Sequence, residues 1–247
     1  MPRLSTGMLG FPDFTGFTRR LVLWNLGAYF TLLILSAFAK TLYVDVMTLL
    51  MLDPSTVLHH GWIWQLITYC VIHAGILSTA FELLSLWFLG SMLENMNGAR
   101  WLAELFFVSV VGAGLATLAL YVVMPASSAP LYACWGGIFG LLIAIAVLYG
   151  DAPFMLFPLP ISIKAKYLVA VYMLIAIAML FGAERVFAFA QLGGALFGWI
   201  YIKFAPRRGF AFAGTETVFG LRNRYYRWKR RRAARKFEVY MRKHRDN

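Results

Sequence analysis

The stretch Leu131 to Gly140, LYACWGGIFG, has the outline of a nucleophile loop running into a membrane helix, but Trp135 stands where a serine would. An indole carbon does not attack an amide, so hydrolysis by an activated nucleophile and a base within hydrogen-bond reach lacks its first actor here. Cys134 adjoins Trp135 in the same stretch, and other residues with chemistry lie in further apolar runs: His73, Glu82 and Gln191. Glu82 is the most demanding of them. A carboxylate inside a span costs at least about 2.5 kcal/mol on insertion scales, so it has to face the bundle interior, water or a partner. Three readings stand side by side: a protonated Glu82 hydrogen-bonded to Ser78 or Gln191, a polar recognition group for a client helix, and a step on a proton or ion path.

The elements that carry these residues are membrane spans. Of 247 residues, 61% are hydrophobic and 14% charged, against roughly 25% charged in an average soluble domain, which excludes an ordinary soluble fold. A hydrocarbon core about 30 Å thick takes about 20 apolar residues per helix. Six segments qualify: Leu21–Ala39, Trp62–Leu93, Leu105–Met124, Leu131–Tyr149, Tyr167–Ala183 and Val186–Ile202. Between them lie Glu94–Glu104, the PASSAP turn with Ser127 and Ser128, the segment DAPFMLFPLP, and Glu184-Arg185. Ala37-Phe38-Ala39 mimics a signal-peptide cleavage site, but the span-length run before it reads as a retained first span. The region Lys40–Gly61 is neither a long apolar helix nor a plainly polar loop and is placed at the outer interface, with His59 and His60 in water. Cys70 and Cys134 read as small buried hydrophobes.

Charge is divided unevenly. Residues 207–247 hold 14 Lys+Arg and 3 Asp+Glu, leaving 9 and 8 for the rest of the chain. Arg3, Arg19, Arg20, Arg100, Lys164, Lys166 and the tail fall on one side and Lys40 and Arg185 on the other, so both termini are expected in the cytoplasm. The domain reading is a cytoplasmic segment 1–20, a six-span domain 21–205 and a basic amphipathic tail 206–247. In the tail, Tyr226, Ala233, Phe237 and Tyr240 recur at roughly helical spacing among cations. Anionic lipid headgroups are its expected partner, with a protein or nucleic acid such as ribosomal RNA as alternatives.

Four stretches in order carry a family resemblance: Trp64-Gln65-Leu66-Ile67-Thr68-Tyr69 leading to His73; Gly90, Glu94 and Gly98 with Arg100 and Trp101; Trp135-Gly136-Gly137-Ile138-Phe139-Gly140; and Ala190-Gln191-Leu192-Gly193-Gly194 through Gly198. Together they resemble the rhomboid intramembrane serine proteases. The resemblance implies an all-α, six-span bundle in a bacterial-type inner membrane, with the nucleophile position at Trp135, the base at Gln191 and the oxyanion positions at Ser78 and Glu82. All four depart from the family's chemistry, and an ionised Glu82 would repel an oxyanion. The implied function is a pseudoprotease that binds transmembrane segments of client proteins in a cleft with His73, Glu82, Trp135 and Gln191. Proteolysis by unrecognised residues, or a channel or transporter, are the rivals. A Cys134 and His73 pair is disfavoured, because adjacent helical residues point about 100° apart.

The remaining candidates are architectural. Gly136, Gly137 and Gly140 and Gly193, Gly194 and Gly198 let two helix backbones approach, so span six is expected to pack on span four. Gly90, Glu94, Gly98 and Arg100 are expected to fix the turn between spans two and three, with a solvated Glu94 and Arg100 pair as the alternative. Neither a metal nor a cofactor is expected, and the lipid bilayer is the first partner.

Overall fold

The computed structural model describes residues 14–125, 129–156 and 161–205, with backbone alone at 154–156 and 161–162. The chain divides into two units, 1–204 and 205–247. The basic tail and the turn serines Ser127 and Ser128 lie outside the described residues. The elements run α1 (Gly16–Phe38), α2 (Lys40–Leu50), α3 (Pro54–His60), α4 (Gln65–Thr68), a single 3-10 turn, α5 (Ile76–Asn97), α6 (Ala99–Val123), α7 (Trp135–Tyr149), β1 (Pro153–Leu156), β2 (Ile161–Lys164), α8 (Ala165–Met179) and α9 (Arg185–Phe204).

Four helices, α1, α5, α6 and α9, are long and apolar enough to cross a membrane. This is an all-α, multi-pass membrane protein with one small hairpin added. The six expected spans are not all of membrane length: α7 and α8 have 15 residues each, about 22 Å at 1.5 Å per residue. α7 is short because its first four apolar residues are spent differently. Leu131 pairs with Leu52 through both backbone groups (3.0 and 2.8 Å), and the Ala133 amide donates to Ile72 O at 2.8 Å from a left-handed φ of 76°. These are bonds a continuing helix would forbid.

The second expected span, Trp62–Leu93, is likewise two pieces. α4 and the turn Tyr69–Val71 give way to extended backbone at Ile72, and α5 starts only after Gly75 at φ 82°. The Lys40–Gly61 region forms two short helices: Asp53 caps α3 by accepting from the Ser55 amide at 2.9 Å, and Gly61 ends it in the left-handed conformation. Three side chains of α4 and its approach then satisfy the last carbonyls of α2. Trp64 Nε1 donates to Leu49 O (3.1 Å), Gln65 Nε2 to Thr48 O (3.1 Å) and Thr68 Oγ1 to Leu50 O (2.8 Å). Helix ends in an apolar setting need such partners.

The core is the packing of α6, α7 and α9. A Cβ on Gly198 would lie 2.9 Å from Gly140 Cα, and one on Gly194 would collide with the Gly136 carbonyl. Hence α7 and α9 meet backbone to backbone. Gly193 abuts Ala116 and Gly112 of α6, while Gly137 receives the Phe106 ring.

Candidate functional site

The polar groups of the bundle converge where α1, the Ile72–Gly75 connection, α5 and the entry to α7 meet. His73, in the connection, is 6% exposed; Glu82, two turns into α5, 2%; Asn25, midway along α1, 1%; and Cys134, the residue before α7, is fully buried. They form a chain. Asn25 Oδ1 lies 3.0 Å from His73 Nε2, His73 Nδ1 2.8 Å from Glu82 Oε2, and the same Glu82 oxygen accepts from the Cys134 amide (3.3 Å) and thiol (3.6 Å).

The proton inventory follows from Asn25. Its Nδ2 donates to Leu21 O at 2.8 Å, which leaves Oδ1, an acceptor, toward His73. His73 Nε2 therefore carries a hydrogen, and the remaining proton lies on the Nδ1 to Oε2 line, held by either partner. The pair is neutral as a unit, the form in which a carboxyl and an imidazole are buried at least expense. Both ring nitrogens are engaged, so His73 has no lone pair for the Cys134 thiol, and Glu82 stands between them. A Cys and His dyad is not assembled.

Other expected site residues lie elsewhere. Ser78 is exposed and donates to the Ala74 and Gly75 carbonyls of its own chain segment, not to Glu82. Gln191 is buried on α9, and its Oε1 finds no hydrogen-bond partner among the described residues. The expectation of a Glu82 bonded to Ser78 or Gln191 is thus corrected: helical spacing offered Ser78, but its short side chain closes on its own backbone. Trp135 opens α7 half-buried, one residue from where Gly136 meets the Ala190 carbonyl. Asn25 had not been singled out. A lone amide in an apolar run was its signal.

Glu94 has a more specific task than a turn. Its carboxylate accepts from the Phe17 amide (2.7 Å), the Thr18 amide (2.8 Å) and the Thr18 hydroxyl (2.7 Å). The first turn of α1 contains no acidic residue and Thr15 makes no side-chain cap, so Glu94 supplies from α5 what α1 lacks. Gly90 makes room for Thr18, and Gly16 takes a φ of 63° against the carboxylate. Gly98, at φ 89°, makes the turn between α5 and α6. Arg100 is exposed and forms no ion pair among the described residues, so the Glu94 and Arg100 pair is not made. Neither do the described residues gather three metal-ligating groups.

Residues 25–211 match the family described as eukaryotic integral membrane protein (DUF1751). The chain belongs to this family. No curated protein matches the chain. The family match spans all four stretches on which the rhomboid resemblance rested and overturns it. The readings of a rhomboid pseudoprotease and of a rhomboid protease acting through other residues fall with it. The physical reason is visible in each stretch. Trp64, Gln65 and Thr68 cap α2, Glu94 caps α1, and the glycines of α7 and α9 are contact surfaces; membrane bundles of many kinds need such residues.

Proposed function

We propose that this member of the family is a non-enzymatic membrane scaffold, a lipid-embedded bundle that presents a basic segment at the cytosolic surface. The observation that carries this reading is the engagement of the polar chain: Asn25, His73, Glu82 and Cys134 are all buried, with both His73 ring nitrogens held by Asn25 and Glu82 and the Cys134 amide and thiol turned to Glu82 Oε2. A nucleophile or base in use needs a lone pair facing substrate. All six apolar helices cross the membrane in this proposal, α7 extended by Leu131–Cys134 and α8 by Leu180–Ala183. The Lys and Arg asymmetry puts both termini on the cytosolic side, and anionic headgroups attract the tail at about 1 kcal/mol per nearby cation. A eukaryotic membrane replaces the bacterial-type one expected earlier.

The test is labelling of the purified protein in lipid nanodiscs with small thiol-directed and serine-directed electrophiles. The proposal expects Cys134 to react only after denaturation and no serine to be marked. Stoichiometric labelling of Cys134 in the folded protein would overturn it. Reporters fused after Arg100, Lys166 and Asn247 should all read cytosolic; an opposite reading at Lys166 would sink the topology alone.

A further inference from the structure

The glycines of α7 and α9 let helices close on one another, but α1 carries one that does not. A side chain at Gly27 would meet nothing within 4 Å among the described residues. Glycine inside a helix is disfavoured relative to alanine, so the open place beside it asks for an occupant. Leu23 and Trp24 flank it one turn before and Phe30 and Thr31 one turn after, all of them exposed, Trp24 at 78%. The Thr31 hydroxyl donates to Gly27 O at 2.8 Å. With that hydroxyl spent on backbone, the notch suits a hydrocarbon chain.

The same face ends in charge. At about 100° per residue, Arg20, Leu23, Gly27, Phe30 and Ile34 line up along α1, opposite the buried Thr18, Val22, Asn25 and Leu32. Arg19 and Arg20 are exposed and form no ion pair among the described residues. Together with Gly16 and Leu23 they line one open hollow. Glu94, the carboxylate that meets this end of α1, is spent on the Phe17 and Thr18 amides and the Thr18 hydroxyl. The rise from Arg20 to Phe30 is about 15 Å at about 1.5 Å per residue, one leaflet's share of a hydrocarbon core about 30 Å thick.

We propose that this face of α1 binds one anionic phospholipid, its phosphate held by Arg19 and Arg20 and an acyl chain laid over Leu23 and Gly27. Guanidinium forks take phosphate oxygens bidentately and are more weakly hydrated than an ammonium, and basic positions at the ends of membrane helices receive lipid headgroups. A second copy of the chain is not the occupant, because two copies of one topology packed along this strip would set Arg20 against Arg20. All the residues of the site belong to α1, so it is independent of the attraction assigned to the tail.

The test uses full-length protein in phosphatidylcholine nanodiscs doped with phosphatidylserine or with phosphatidylcholine, each carrying the same diazirine-bearing acyl chain. Both leaflets hold the probe, so the outcome does not depend on the topology proposed above. The peptide containing Leu23 to Phe30 should be labelled several-fold more by the serine lipid than by the choline lipid. Arg19→Gln with Arg20→Gln should bring the two to equality; a preference that survives would overturn the proposal. Equal labelling in the wild type would overturn it in favour of ordinary lipid contact, and no labelling by either probe would overturn it in favour of a protein cover. Arg231→Gln with Arg232→Gln in the tail should leave the preference at α1 intact; its loss would mean that bulk surface charge draws the lipid and would overturn the site. Gly27→Leu fills open space and keeps both arginines, so it should lower the preference several-fold while thermal unfolding stays unchanged. An undiminished preference would overturn the acyl seat.

Discussion

Two regions of the bundle are joined by different physics. In α6, α7 and α9 the helices touch through glycine, with Gly194 against the Gly136 carbonyl and Gly198 against Gly140; what holds them is close packing, the attraction available between helices already in lipid. On the other flank, α1 is exposed over most of its surface and buries only Thr18, Val22, Asn25 and Leu32. It is fastened to α5 by hydrogen bonds at two carboxyls. Glu94 takes the amides of its first turn, and Glu82 reaches Asn25 through His73. Contact by backbone tolerates no added atom, whereas contact by hydrogen bond fails only when a partner is removed. The two regions should therefore answer differently to the same kind of change.

The largest effect is expected in the glycine region. Gly194→Leu should destabilise at or above the upper end of the usual 1–3 kcal/mol for overpacking, since the obstruction is backbone and cannot turn aside; unfolding in mixed micelles measures it. A neutral result would show that α7 and α9 separate freely.

Next comes the polar chain. Glu82→Leu leaves the His73 ring and the Cys134 amide without their partner, at about 1–3 kcal/mol for a buried unsatisfied group. Glu82→Gln keeps one acceptor and should lose less. A double-mutant cycle with His73→Leu should return a coupling of about 0.5–3 kcal/mol, and additivity would mean that the 2.8 Å contact contributes nothing.

Removing the cap is expected to be smaller and local. Glu94→Ala should lower stability by about 0.5–2 kcal/mol, the range for lost helix caps, and speed exchange of the Phe17 and Thr18 amides while leaving those of α9 unchanged. Uniform acceleration would show that α1 and the core open together.

The smallest effect lies at the hairpin base. Hydrogen bonds from Lys166 and then Lys164 hold the Asp151 carboxyl below its ordinary value of 3.8. A depressed carboxyl contributes stability that is present above its unfolded value and is lost as pH falls through the folded one. The Lys166 amide, bonded to Gly150 O, should thus lose protection only below about the ordinary carboxylate value. Asp151→Asn should remove that dependence; its persistence would point to another group.

The sequence displayed these regions unevenly. The cores of the α1, α6 and α9 spans were readable because an uninterrupted apolar run of span length has few alternatives in lipid, although α1 and α6 begin at Gly16 and Ala99, well before the expected Leu21 and Leu105. The run Trp62–Leu93 misled because hydropathy cannot see that Gly75 breaks a helix or that Trp64, Gln65 and Thr68 are occupied by α2. Glu82 was legible as a residue that needs a partner, yet its partner was not: Ser78 is one turn away in sequence, while His73 and Cys134 arrive through the tertiary fold. Glu94 looked like turn furniture because the amides it caps belong to α1, more than 70 positions back. The hairpin escaped notice because DAPFMLFPLPIS holds three prolines and no run of alternating polarity, and the family was misread because glycine faces and interfacial caps serve many membrane bundles.

The comparison itself is tested most directly by native-state hydrogen exchange of the full-length protein in micelles under rising denaturant. The account predicts two opening free energies: a lower one shared by α1 and the first turns of α5, and a higher one for α6, α7 and α9. A single opening free energy for all five helices would contradict it, because a flank pinned at two carboxyls and a core closed on glycine would then unfold as one body.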